Sequence, residues 1–250
     1  MFAFLPEAQP VTLAPAPLQQ VIAQIKFDSQ SDLAQHSGAS AMHDQLGHLY
    51  PRLLSEPQTV VTAAPGGVST SENPQWRLTD LAGEWSCVIA ADSVALHTTV
   101  YTRWEDMRAR LLAMLDALAQ AARPRSRERL GLRYVNHIHA SDDGTFEHRV
   151  VPELLGVTKL AGWRDSVAMS LNQVVLRDDD VQIAVRHGFG GNALAPEGIF
   201  VLDIDCATEI PALYDGDAAL ALLDELNDAA WRCFSALIHA DYRNALGEVR

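Results

Sequence analysis

Two histidines in the tetrapeptide "NHIH", His137 and His139, carry the first hint of chemistry in this chain. They lie in "RLGLRYVNHIHA", whose alternation reads as a β-strand, and residues two apart on a strand project from one face. Such a pair can hold zinc if a further ligand is supplied. His97 of "SVALHTTVY" is one candidate, and Asp203 and Asp205 of "LDID" are others. The two aspartates share a strand face, while Leu202, Ile204 and Cys206 share the opposite one. Arg133 is in phase with His137 and His139. A histidine beside a carboxylate would form an acid–base pair working near neutral pH.

The same residue types also build an ion-pair and hydrogen-bond ladder on a solvated sheet face. Nine histidines in the chain make the His-x-His spacing common by chance. The favoured reading is therefore a polar face. Arg133, His137, His139, Asp203, Asp205 and His97 are its candidate ligand- or partner-binding residues. No catalytic residue, cofactor or metal is assigned, and His137 and His139 are only weak metal candidates.

Other stretches read blandly. "DDD" at 178–180 lacks the liganding pattern of a calcium loop and falls at a hairpin tip. "RHGFGGNALAPEG" (186–198) has glycines after a strand but no helix pattern at once behind them, so it fails the context a phosphate-binding loop needs. No G-x-S-x-G, Walker or H-E-x-x-H motif occurs. Cys87, Cys206 and Cys233 are too few and too widely spaced for a disulfide framework or zinc ribbon. Trp85, Trp104, Trp163 and Trp231 read as core or hinge aromatics.

These groups need elements to position them. Residues 1–20, with four prolines, read as an N-terminal arm. "QQVIAQIKFDS" reads as a strand, and "SAMHDQLGHLYPRLL" as a helix interrupted at Pro51. "AAPGGVSTSENP" (63–74) reads as a loop. "QWRLTDL", "EWSCVIA" and "SVALHTTVY" read as three strands. Trp104, Met107, Leu111, Met114, Leu115 and Leu118 recur at helical spacing and predict a long helix, with Thr102 as its N-cap. "ARPRSRER" (122–129), the densest basic run, reads as a solvated connection. The second part repeats the order: the "NHIH" strand, a helical turn at "VPELLGVT", strands at "SLNQVVLRD", "DVQIAVRHGF" and "GIFVLDIDCATE", then a closing helix.

The sequence thus predicts an α+β fold of two β-α-β-β-β-α halves, 21–129 and 130–250, joined as one structural unit. Their strands would form a single curved, mainly antiparallel sheet with two long helices on one face. That arrangement is analogous to TATA-binding-like or helix-grip folds. The uncovered face would be the natural seat for a ligand or partner.

Composition bounds the function. The chain has 250 residues, 48% hydrophobic and 20% charged, which is a globular composition. Its net charge of −13 argues against broad nucleic-acid binding unless Lys26, Arg133 and Arg186 gather on one side. No apolar run approaches a membrane span, and the N-terminus has no signal-peptide pattern, so a cytoplasmic location is expected.

"WRLTDLAGEWSCVIAADSVALHTTVYTRWEDMRARL", then "RLGLRYVNHI" and "FSALIHADYRNALG", resemble a sporadically distributed bacterial family of similar length whose members have no assigned function. The resemblance covers residues 18 to 247, most specifically "DSVALHTTVYTRWEDMRARL". It implies a cytoplasmic single-module protein, with a hint of mobile or defence-associated genes, and it lends no catalytic residues or cofactor. The expected function is a non-enzymatic binding or accessory protein of a bacterial operon, of the partner- or toxin-neutralising kind. It would act through the open sheet face or the acidic surface, with a protein partner or a second copy of itself. The alternative is a small-molecule-binding or hydrolytic enzyme using the His/Asp/Arg cluster.

Overall fold

The computed structural model describes every residue except 1, 9–11, 14–15, 65–66, 164–165, 191–197, 247 and 250. Its centre follows from two long, largely alternating strands, β2 (Leu18–Phe27) and β9 (Ser126–His139). In the first, Val21, Ala23, Ile25 and Phe27 are buried while Ile22, Gln24 and Lys26 are only half-buried. In the second, Leu130, Leu132 and Ile138 are buried on the matching face. Two-residue periodicity of this kind sorts side chains to opposite sides of a sheet.

Short elements β1 (Thr12–Leu13), α1 (His36–Leu46), β3 (Arg52–Ser55), β4 (Gln58–Ala64) and β5 (Gly67–Asn73) precede the first meander. That meander is β6 (Gln75–Thr79), β7 (Trp85–Ala90) and β8 (Ser93–Thr98), followed by the long helix α2 (Trp104–Ala121). After β9 come α3 (Pro152–Leu155), a 3-10 turn, and the strands β10 (Met169–Asp178), β11 (Val181–Gly190) and β12 (Ile199–Thr208). The chain ends with β13 (Ala212–Leu213), α4 (Gly216–Leu237), α5 (Ala240–Ala245) and β14 (Glu248–Val249).

The main sheet runs β10-β11-β12-β9-β2-β8-β7-β6-β3, with β13 added beside β9. Every pairing in it is antiparallel. The protein is therefore α+β, a large antiparallel sheet with five α-helices among the described residues. No described helix is long and apolar enough to cross a membrane.

α1, α2 and α4 pack against one face. Their contacts are His36 edge-on to Trp76 (centroids 5.2 Å apart), the Arg110 guanidinium over Trp85 (4.2 Å), and Tyr134 Oη donating to Asn227 Oδ1 (2.6 Å). Asp224 of α4 ties the long helices together, accepting from Trp104 Nε1 (2.7 Å) and Arg108 Nε (2.9 Å) of α2. Met107, Leu111, Met114, Leu115 and Leu118 of α2, with Leu220, Leu223, Leu226 and Phe234 of α4, complete the core.

Several local expectations change. The segment read as a loop at 63–74 forms most of the β4–β5 hairpin, its turn lying outside the described residues. Thr102 does not cap α2. Arg103 holds that position without a side-chain hydrogen bond. α1 ends at Leu46, before Pro51. The basic run enters β9 from Ser126 onward, where Asp28 Oδ1 accepts from the backbone N–H of Arg125 and Ser126 (2.8 and 3.0 Å). Those two hydrogen bonds hold the Asp28 carboxyl below the usual carboxylate range. Trp163 is exposed rather than core.

The N-terminal arm is no loose lead-in. Phe2 is fully buried, and its backbone N–H donates to Asp178 of β10. Arg232 of α4 donates to the carbonyls of Phe2, Leu5 and Pro6 (3.1, 2.6 and 3.1 Å). These contacts place residues 2–6 of the arm beside α4, on the helix side of the sheet.

Candidate functional site: the sheet face opposite the helices

Cross-strand register puts Arg133, His137 and His139 of β9 on the face opposite the helices, with Asp203 and Asp205 of β12 and His97 of β8. The alternation read from "LDID" is observed, since Leu202, Ile204 and Cys206 are buried on the helix side. Lys26, Arg77, Arg129, Arg177 and Arg186 project from the same face as Arg133. The sequence condition that Lys26, Arg133 and Arg186 gather on one side is thus met.

The site's centre is a carboxylate enclosed by guanidiniums. Arg133 grips Asp203 with both Nε (2.8 Å, to Oδ1) and Nη2 (2.7 Å, to Oδ2). Arg186 Nη1 donates to the same Oδ2 at 3.3 Å. The carboxylate is covered to 4% exposure although it stands on the face away from the helices. Asp205 receives Arg129 Nη2 at 3.3 Å and stands 3.9 Å from Arg186. The bond to Asp203 raises the Arg133 pKa, so this guanidinium is charged at any accessible pH.

Arg129 reaches Asp205 by lying across Gly131. A Cβ at Gly131 would fall 2.4 Å from Arg129 Nη1. The glycine thus leaves the channel through which one strand residue leans past its neighbour. Arg129 and Gly131 were not picked out from the sequence, because their role appears only once β9 and β12 are in register.

The histidines stand apart from this network. His137 is paired across the sheet with Val201, and His139 with Ile199. Among the described residues neither makes a hydrogen bond to Asp203 or Asp205, and no group of three His, Cys, Asp or Glu side chains has a geometry fit to hold a metal. Burial, and then the neighbouring His139, lower the His137 pKa.

His97 lies two strands from β9, with Ile22 between it and Arg133. Its pKa is pushed down to about 4, chiefly by burial and then by the Arg77 cation. Arg77 itself is engaged by Glu56 (2.5 Å) and donates to Ser86 Oγ (2.9 Å).

Of the remaining sequence features, Asp178–Asp180 do form the β10–β11 hairpin tip, with Asp179 at φ 49°. The glycine-rich stretch 186–198 is β11 up to Gly190, and 191–197 lie outside the described residues. All three cysteines are buried thiols, and burial pushes Cys87 and Cys233 up to about 12.

No family model and no curated protein matches this chain.

Proposed function

We propose that this protein is a non-enzymatic binding module whose sheet face, opposite the helices, receives an acidic patch on a partner protein. The observation that carries this reading is an inversion of charge. A chain of net −13 collects Lys26, Arg77, Arg129, Arg133, Arg177 and Arg186 on one face, where Asp203, Asp205, Glu56 and Glu209 pair with part of the set and leave an excess of cations. Complementary charge of this kind steers association and fixes register. Arginine is also the cation best suited to interfaces, because its planar fork is ordered before the partner arrives. The ladder on β9, β11 and β12 supplies that order.

The order of strands supports reading the fold as a duplication. β2, β8, β7 and β6 stand to one side of the sheet's middle in the same sequence as β9, β12, β11 and β10 on the other. Each set is followed by a long helix, and we assign the two sets to the halves 21–129 and 130–250, with β9 itself beginning at Ser126. We read this as a doubled unit with the architecture of TATA-binding-like or helix-grip folds, analogous in shape and not in task. A cytoplasmic, operon-encoded accessory role of the partner-neutralising kind fits such a module and the family it resembles.

The enzyme reading would use the same carboxylates as acid or base. Here guanidiniums occupy both, which favours binding over hydrolysis. A nucleic-acid partner would profit from aromatic rings to stack on. Trp76, Trp85 and Tyr134 all face the helices instead.

The experiment is affinity capture from the native host with wild type and an R133E/R186E variant, in parallel with light scattering and oligonucleotide retention. One partner captured by wild type, weakened by salt and lost in the variant, supports the reading. If that partner is a second copy, the mass doubles. Capture unchanged by the charge reversal, or tight salt-dependent oligonucleotide retention with no protein bound, overturns it.

A further inference from the structure

The first half of the sheet holds a trough that the second half lacks. Two cross-strand rows form its floor. One runs Gln24–Ala95–Val88–Arg77 and the next runs Lys26–Ser93–Ala90–Gln75. In both rows the two middle strands carry small side chains, and the outer strands carry long polar ones. Three strand spacings separate the outer walls, about 14 Å. His97 closes one end, and the turn at Asp92 closes the other. Gln58 and Asn73, paired across the base of the β4–β5 hairpin, form the rim. The open trough has a volume of about 670 Å³, within the range of sites for small molecules.

The corresponding floor between β9 and β10 is filled. Asp205, Asp203 and Arg186 stand on its middle strands and are locked together by ion pairs. The space in the first half therefore comes from residue choice at matched sheet positions.

The chemistry of the lining selects a class of ligand. Arg77 has its charge matched by Glu56. The Lys26 ammonium makes no ion pair among the described residues and stands ready for an acid group. Gln58, Asn73 and Gln75 each offer a donor and an acceptor, and Gln24, whose Oε1 accepts from Arg129 Nη1 (3.3 Å), offers its amide N–H groups, which together suit hydroxyl groups. Asp92, which accepts from Ser93 Oγ at 3.3 Å, adds a carboxylate acceptor. Apart from the His97 imidazole at one end, no aromatic ring lines the trough, and no Phe, Tyr or Trp face there would stack on a planar base. His97, neutral at physiological pH, can donate or accept there.

The geometry points to a binding site for a small polyhydroxylated acid, with its carboxylate or phosphate on Lys26 and its hydroxyls on the carboxamides, between β2 and β6. It adjoins the guanidinium ladder, where Arg129 Nη1 donates to Gln24 Oε1 (3.3 Å), and shares Lys26 and Arg77 with the cationic face, but it does not rest on the partner-binding reading.

The test is calorimetric titration of the whole protein with gluconate and with glucose 6-phosphate, glucose and octanoate serving as controls. Saturable binding of either acid, weakened about tenfold or more by Lys26→Met and by Ala95→Leu, which fills the floor without altering charge, supports the site. Glu153→Gln, on α3 in the other half of the chain, is expected to leave it unchanged. Thermal melts of each variant confirm folding, and Lys26→Gln gives a second substitution should Ala95→Leu melt early. Which acid binds tells carboxylate from phosphate. No saturable binding of either acid up to ~10 mM, glucose or octanoate binding as tightly, or wild-type affinity in the Lys26 variants overturns the assignment.

Discussion

Asp203 on β12 is held by Arg133 on β9 through two parallel hydrogen bonds of 2.7 and 2.8 Å, and the guanidinium that grips it remains partly open to solvent. The pair is asymmetric. The carboxylate is buried and depends on its arginines, whereas the arginines keep contact with water. Removing the acid strands two cations at a solvated surface. Removing Arg133 leaves a buried anion with only the longer 3.3 Å bond from Arg186.

From that asymmetry, Arg133→Ala is expected to destabilise the fold more than Asp203→Asn. The first should cost about 2–3 kcal/mol and the second about 1 kcal/mol, since exposure weakens what the arginines gain. Urea melts of the two variants and of the double variant measure this. The double variant should lose less than the sum, because its unpaired anion is gone.

Acidification should loosen the first half of the sheet through His97. Its folded-state pKa of about 4 lies below the ordinary imidazole value of 6.5, so the unfolded chain binds the proton more readily. Stability is complete above pH 6.5 and falls as pH drops toward 4, by on the order of 2 kcal/mol. His97→Gln should flatten that part of the stability–pH profile in urea melts taken from pH 7.5 to 4.

The arm at residues 2–8 depends on Arg232. Arg232→Met removes the donors to three arm carbonyls. Limited proteolysis should then cut near Pro6 at a rate about tenfold or more above wild type, with the melt of the rest shifted by about 1–2 kcal/mol.

Gly188→Ala should uncouple β10 from β11. Gly188 has φ +150°, and a Cβ there would fall 1.8 Å from the Ser170 carbonyl oxygen, a backbone atom that cannot swing aside. A loss of about 3 kcal/mol or more is expected. Hydrogen exchange should show lost protection at Asn172–Val175 before the rest of the sheet.

The sequence made much of this fold legible. Alternation located β2, β7, β8, β9, β11 and β12, and helical spacing located α2 and α4, because each of these elements buries one continuous face. The β4–β5 hairpin was hidden by its composition, since "VSTSEN" has no apolar face to alternate. The buried arm was hidden because its anchor, Arg232, lies at the far end of the chain. In the candidate site, phase along a single strand placed Arg133, Asp203 and Asp205 on one face, and the structure joins Arg133 to Asp203. His97 is a further candidate in the sequence, but phase along one strand could not tell its face, nor that Ile22 and a full strand separate it from β9. The trough had no local signal at all. Its floor is a pattern of small residues across four strands, visible only once register is known.

The seam between β2 and β9 has a consequence for how the chain comes together. Its partners are roughly a hundred residues apart in sequence, whereas β6, β7 and β8, like β10 and β11, meet through short turns. During synthesis β2 and the meander beside it emerge with an unmatched backbone edge, and must wait for β9 to leave the ribosome before that edge is closed. Zipping of this central seam is the slow, topology-limited event. A nascent chain halted near Arg125 would present that raw edge to any other strand in reach.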